Sequence, residues 1–559
     1  MWNLKILYDS DEKWIKYYEE YAKEMAILET PKIELNKLEE IFNFIQCNAI
    51  ILDDIYTYGL LRREQDVLNK DVTKGLSQIR QIYVDFNKKL ELLLSFFRER
   101  RKEILDILHV DPKLKKYYSY FLNMNLNSQN EIKEIYNKIA PYDRYMEWYG
   151  SFERIGEDPR THQEINEFNL LNYLKSERKE ERRLVYHAVE EFLKENSEIA
   201  AGYLNTHIQL NNYAASKCGF DDSYSYFTAN NTLCKNAKEF LIHYKSIFVD
   251  INKKIVEVKK SMLCLDTIGY EDMYFLSGEL EYNISIDEAK QIVLESFSKF
   301  GTEFQQITKK ALYENWIDSE NYDGKHSGQR SYSSYRSHPY ITIPWNGRID
   351  DLFSLAHEVA GAVGQWFAAE NQEYIYSELS IVKVEFLSAL GMLYLSEYLL
   401  ENRNFNKIEK LVKAKVIDFL KDSLMVPFEF SLIEMELYSK GVKQKLIVDD
   451  ISDIWYSVIE NFHDVSNFEE MRINRYNWVR HDHLYLNAYD FRYIESFLIA
   501  LSSSEKVTRK NDKFIKLLRL GEKVTDKIFF DEIEGKRESR FLVNEAIKKV
   551  YNLLEECEK

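Results

Sequence analysis

Breakers are scarce in this 559-residue chain, which has only 7 Pro and 18 Gly. Ordinary domains carry about 5% Pro and 7% Gly, so this shortage favours long uninterrupted helices over a turn-rich β fold. Cysteine is also sparse: Cys47, Cys218, Cys234, Cys264 and Cys557 are scattered, odd in number and without a C-x-x-C pair. That pattern suggests neither a disulfide framework nor a thiolate zinc site. No Lys/Arg cluster relieves a net charge of -17, which argues against a nucleic-acid or acidic-membrane partner. No stretch approaches the roughly 18 uninterrupted apolar residues of a spanning helix. The opening MWNLKILYDSDEKW lacks the apolar core of a signal peptide, so a soluble, cytoplasmic protein is expected. What the chain does have is apolar bulk, with 45% hydrophobic residues, 40 Tyr and 32 Phe. That is enough for a large core spread over two or more lobes.

Helical periodicity dominates. Between Glu181 and Leu210, Leu184, Ala188 and Phe192 run alongside Val185, Val189 and Leu193 at four-residue spacing, with Glu and Lys on the other face. Similar patterns predict helices over Glu12 to Ile27, Val72 to Leu108, Asn236 to Leu263, Ile286 to Tyr313, Leu379 to Asn402 and Lys510 to Glu558. There is no fixed-period repeat and no low-complexity tract.

One region breaks the pattern. Asp318 to Asn346 is rich in Gly, Ser, Asn and Asp and ends in the alternation Tyr340-Ile341-Thr342-Ile343-Pro344. It reads as a loop entering a short strand, which Pro339 and Pro344 are expected to confine to a sheet edge. Such an edge either binds a peptide by strand addition or is a plain surface hairpin.

Leu355 to Gly364 reads LAHEVAGAVG. In His-Glu-x-x-His the two imidazoles lie on one helical face to grip Zn²⁺ while the Glu activates water. His357 and Glu358 stand where that pattern wants them, but Gly361 replaces the second imidazole. Loss of one ligand should weaken zinc by several kcal/mol, given roughly 10–16 kcal/mol for a whole structural site. Each interior helical Gly costs about 1 kcal/mol relative to Ala, so Gly361 and Gly364 point to a need for space. Two uses of that space stand open, close helix packing and an enlarged floor for a ligand. Without a metal, Glu358 and Glu385 would share a cleft and raise one another's proton affinity, and a charged His357 or His483 would offset them.

Four blocks resemble the oligoendopeptidase F branch of the thimet-oligopeptidase-like zinc peptidases. They are Trp316 to Asp318 followed by Gly324 to Gly328, then His338 to Ile341, then Leu352 to Gly364, and finally HLYLNAYDFRY from His483 to Tyr493. The resemblance implies a mainly α fold of two helical lobes flanking a deep substrate channel, with a small β-sheet next to the active-site helix. It divides the chain into an N-terminal lobe, residues 1–190, and a catalytic-type lobe, residues 191–559, holding the motif helix at 351–368. It makes His357 and Glu385, 28 residues apart, metal ligands, and Glu358 the general base. His483, Tyr485 and Tyr489 would be oxyanion and backbone donors, and Gly328, His338, Tyr340 and Tyr493 substrate contacts.

The family pattern continues His-Glu-x-Gly-His-x-x-His, where this chain has Ala360, Gly361 and Gly364. Zinc is then weakly bound or absent. Among His326, His338, His481 and His483, hydrogen bonding or substrate contact is favoured over ligation, and His481 reads as solvated. Three readings follow in order: a pseudopeptidase that binds short peptides, a zinc endopeptidase with a non-standard site, and a repurposed peptide-modifying enzyme using Glu358, Glu385 and His483.

Overall fold

A computed structural model describes residues 2–124, 135–136, 138–167, 169–275, 282–322, 324–326, 328–463, 474–536 and 538–558. Helix makes up 74% and strand 2%, so the architecture is mainly α. Contacts gather the chain into two compact units. The first comprises Met1–Ser128, Asn283–Tyr398 and Ser503–Lys536; the second comprises Gln129–Tyr282, Leu399–Ser502 and Arg537–Lys559.

The long periodic stretches are helical, but several are cut where the backbone demands it. The 286–313 stretch becomes Ile286–Ser296, a 3₁₀ turn Phe297–Phe300, and Thr302–Tyr313. Gly301 makes the break at φ 96°, a conformation closed to residues with a Cβ. The 181–210 stretch divides at Asn196 into Lys179–Glu195 and Ser197–Lys217. The 510–558 stretch resolves into Asn511–Leu518, Asp526–Glu534 and Ser539–Glu558. Side-chain periodicity continues through these breaks because each pair of helices buries a shared face.

In the first unit, Asp11–Ile27, Leu38–Gln65 and Lys70–Glu99 enclose a core that includes Trp14, Tyr58, Leu76 and Ile79. Tyr340 joins this core from a three-stranded sheet, meeting Trp2 edge-on at 5.7 Å. The strands are Ile317–Asp318, Arg330–Tyr332 and Tyr340–Thr342. Tyr340–Thr342 is the central strand, parallel to Ile317–Asp318 and antiparallel to Arg330–Tyr332, and not the edge expected from its prolines. Pro339 and Pro344 lie just outside the paired residues, so they remove no ladder donor. The edge beside the motif helix is Arg330–Tyr332. All five cysteines are free.

The second unit is built from Pro141–Gly150, Lys179–Glu195, Ser197–Lys217, Ala237–Met262, Val426–Gly441, Val448–Phe462 and their neighbours. A π turn, Lys421–Met425, leads into Val426–Gly441. Among the described residues no helix is long and apolar enough to cross a membrane.

Candidate active site

The motif sequence lies on the helix Ile349–Ala369. Its start is fixed by Asp351, whose Oδ2 accepts the backbone N–H groups of Asn346 at 2.8 Å and Arg348 at 3.1 Å. Asp350 and Asp351 also place negative charge at the positive end of the helix dipole. Leu352, Leu355, Ala356, Val359 and Val363 bury one face completely, leaving His357 and Glu358 half-buried.

A second helix, Ile381–Glu401, lies against it. Its first turn is anchored by the fully buried Lys383, which donates to Glu522 Oε1 at 2.7 Å and to the Val524 carbonyl at 2.8 Å. That anchor fixes the height of Glu385, whose Oε2 lies 3.6 Å from His357 Nε2. Ser388, one turn further on, donates to the His357 carbonyl at 2.9 Å.

A carboxylate at that distance favours an imidazolium, but burial wins and pushes His357 down to about 4. The ring is neutral at pH 7, so of the two histidines expected as the possible cation, His357 is not the one that carries charge. Burial likewise lifts Glu358 to about 7, against a hydrogen bond from Ser331 and the charge of Arg330. Desolvation, and not a second carboxylate, is what raises its proton affinity.

The small residues of the motif helix serve two different ends. A Cβ at Gly364 would stand 2.1 Å from Leu387 Cδ1. One at Gly391 of the second helix would stand 2.7 Å from Ala360 Cβ and 2.9 Å from the Ala356 carbonyl. These positions are close helix packing. At Gly361 the contacts are looser, 3.0 Å to Ser388 Oγ and 3.1 Å to Val384 Cγ1. Gly361 also lines a cavity of about 240 Å³ walled by both helices and the Arg330–Tyr332 edge. So packing accounts for Gly364, while Gly361 opens onto space.

The other residues of this unit have varied surroundings. His338 stacks on Trp316 at 5.4 Å and bonds the Pro339 carbonyl through Nδ1 at 2.8 Å, and burial lowers its proton affinity. Tyr340 is wholly buried, with its hydroxyl on Ser337 Oγ at 2.8 Å. Gly328 donates its N–H to His326 Nδ1 at 2.9 Å, and a Cβ there would meet that ring at 2.7 Å. Ser327 of the same block lies outside the described residues.

The remaining candidates lie in the second unit. His483 Nδ1 is 3.1 Å from Asp490 Oδ1. Burial opposes charge on the ring, yet the hydrogen bond and charge of Asp490 prevail and raise His483 to about 9. Burial also lifts Asp490 above the ordinary carboxylate range, and the two groups share one proton as an imidazolium–carboxylate pair. Tyr489 and Tyr493 sit beside His483, their hydroxyls 3.2 Å apart. Tyr485 is buried and stacks on Tyr145 at 4.5 Å. His481 is half-buried and not simply solvated; it packs on Phe430 at 4.7 Å and Trp455 at 5.0 Å, where burial holds it well below its ordinary value.

Between these groups Asn487 and Ala488 both adopt left-handed backbone, φ 56° and 59°. Two such residues in succession are strained for non-glycines. The turn is held because Ala488 donates its N–H to the buried Glu434 Oε1 at 3.0 Å, and Tyr438 donates to Asn487 Oδ1 at 3.2 Å. Burial and the Asp490 charge raise Glu434 to about 8, so it is protonated at neutral pH. Sequence reading missed Glu434, Ser331 and Ser388. Only Ser388 had a local signal, its i+3 spacing from Glu385.

A family model described as Peptidase family M3 matches residues 172–529. The chain belongs to peptidase family M3. An oligoendopeptidase F homolog of Lactococcus lactis subsp. lactis (strain IL1403) is 22% identical, with 100% of this chain aligned to 96% of that protein. Another from Borreliella burgdorferi (strain ATCC 35210 / DSM 4680 / CIP 102532 / B31) is 24% identical, over 93% of this chain and 91% of the relative. Among solved structures, a putative peptidase from Chlamydophila abortus superposes with a TM-score of 0.78 at 19% identity, covering 100% of this chain and 97% of that one. Oligoendopeptidase-F from Enterococcus faecium gives 0.73 at 19% identity, covering 98% of each chain. These likenesses show that this M3 member has the fold of those peptidases.

M3 membership implies zinc, and the residues present can be tested against it. Two ligands on one tetrahedral zinc lie about 3.3 Å apart for bonds near 2 Å, so the His357–Glu385 separation of 3.6 Å suits two arms of a site. The third arm is missing. Gly361 offers no donor, and among the described residues no group of three or more His, Cys, Asp or Glu is arranged to hold a metal. Among the described residues, then, the side chains supply two of the three protein ligands and no third.

Proposed function

We propose that this M3 member is a pseudopeptidase that binds short peptides in the cytoplasm, with zinc weakly held or lost. The observation that carries the reading is Gly361, which leaves His357 and Glu385 as a two-group remnant 3.6 Å apart. Peptide binding is supported by the position of Arg330–Tyr332 as an outer strand beside the motif helix, the kind of edge to which an extended peptide adds. In this reading Ser331 steadies Glu358, and His338 and Gly328 belong to the substrate side. His483, Tyr489 and Tyr493 are a cluster of hydrogen-bonding groups within the second unit, and Tyr485 and Tyr340 are buried, each in its own unit.

One observation favours a working zinc endopeptidase as the second reading. Glu358 is retained with a proton affinity near neutrality, as a general base requires. Metal content and peptide cleavage separate the two. Purified full-length protein should carry far less than one zinc per chain and leave a quenched-fluorescence peptide intact, while still binding short peptides by fluorescence anisotropy. Near-stoichiometric zinc, with cleavage abolished both by a chelator and by Glu358→Gln, would replace the first reading with the second.

A further inference from the structure

We propose that the cavity beside Gly361 is a side-chain subsite for a basic residue, Lys or Arg, of a bound peptide, with its cation placed at the Glu378 carboxylate. The inference rests on the peptide-binding reading and names the ligand class that reading leaves open.

The cavity measures about 240 Å³, space for roughly eight waters at ~30 Å³ each and so for one long side chain. Gly361 forms part of its lining. Tyr332, Leu379 and Val384 give it apolar walls, while Ser331, Gln365 and Glu378 supply the polar groups. An apolar sleeve ending at a carboxylate matches a side chain with a methylene stem and a cationic head. A short neutral side chain leaves the walls wet, and an acidic one faces Glu378 directly.

Glu378 is held in place from both sides. Gln365 on the motif helix donates through Nε2 to the Ser377 carbonyl at 2.9 Å and accepts the Leu379 N–H on Oε1 at 3.0 Å. Both neighbours of Glu378 in the chain are thus tied to the helix that carries Gly361. The carboxylate itself is solvent-accessible, although protein surrounds it closely enough to raise its proton affinity. That combination places it on the wall of a concavity.

Charge on this side of the unit is unbalanced in the right sense. Asp53 feels Glu378 and Asp54 as like charges, and Glu378 feels Glu522. Arg336 is engaged by Asp54 at 2.8 Å, and Lys383 by Glu522 at 2.7 Å. With those cations already engaged, Glu378 faces burial and the like charge of Glu522, and a ligand cation beside it relieves both. An ion pair formed in a recess is screened less than one on open surface.

The test uses the immobilised full-length protein and an equimolar pool of randomised heptapeptides, with retained peptides sequenced by mass spectrometry. Lys and Arg should be enriched about five- to tenfold at one position, as befits a partly buried charge pair. In Glu378→Gln that enrichment should fall to background, and in Gly361→Met, which fills the cavity, it should also vanish. Comparing Lys with Arg at the enriched position shows which head group fits better. Retention of peptides without basic enrichment, or equal enrichment in Glu378→Gln, overturns the subsite and leaves peptide binding standing. No retention of any peptide overturns both. Circular dichroism of each variant guards against reading misfolding as lost selectivity.

Discussion

Around residue 361, the motif helix offers no second imidazole to hold a cation, and a cavity and the His357–Glu385 pair lie beside it. Around residue 487, every polar group that the family resemblance singles out is present, and buried hydrogen bonds tie the segment down. The difference shows which groups the fold itself needs. Gly361 has no side chain and so takes no part in holding the helix by side-chain hydrogen bonds. The His483–Tyr493 segment braces a strained turn, so a substitution there leaves buried donors or charges without partners. Its persistence is therefore explained by stability as well as by any contact with substrate.

Four measurements break or sharpen that contrast. The largest change is expected from Gly361→His, which should raise zinc affinity by about a hundredfold in chelator competition, because the new ring has the adjacent cavity to enter. No gain would mean that the Ser388 and Val384 contacts bar the rotamer needed. Next, Glu434→Ala should cost about 2–4 kcal/mol in urea unfolding, since it leaves the Ala488 N–H buried and opens a hole. Glu434→Gln should cost less than about 1 kcal/mol, because the acid it replaces is already uncharged. Equal losses in the two variants would show that charge, and not the hydrogen bond, holds the turn.

Third, Gly364→Ala should destabilise by about 1–2 kcal/mol as its methyl displaces Leu387, while Gly361→Ala should stay within about 0.5 kcal/mol, helix propensity offsetting a mild contact. Similar costs at both positions would erase the distinction between packing and open space. The smallest effect concerns pH. The folded pKa of His483 lies above its ordinary value, so its pairing with Asp490 contributes fully below about pH 6.5 and is lost as pH rises through about 9. Histidine-selective NMR should place that midpoint near 9 and show it falling in Asp490→Asn; an unshifted midpoint would mean that Asp490 does not hold the proton.

Much of the fold was legible because apolar periodicity survives in the long helices. The ends of Asp11–Ile27 and Ala237–Met262 match expectation within a residue. Breaks such as Asn196 were not legible, since the buried stripe runs on across them. The sheet was misread at Tyr340 because proline proximity says nothing about which strand lies in the middle; the pairing with Ile317–Asp318 comes from a segment over twenty residues away. In the site, His357, Glu358 and Glu385 followed from helical spacing and resemblance. Their protonation did not, because burial set it. Glu378 and Glu434 were invisible for a similar reason, their importance residing in backbone groups they face or flank and not in any motif.

Leu387 carries a consequence for substitutions on this helix. Its methyl occupies the volume that any side chain at residue 364 would claim, so the two positions compete for one space. A bulkier residue 364 therefore requires a smaller residue 387, and shrinking residue 387 alone opens a hole in the core.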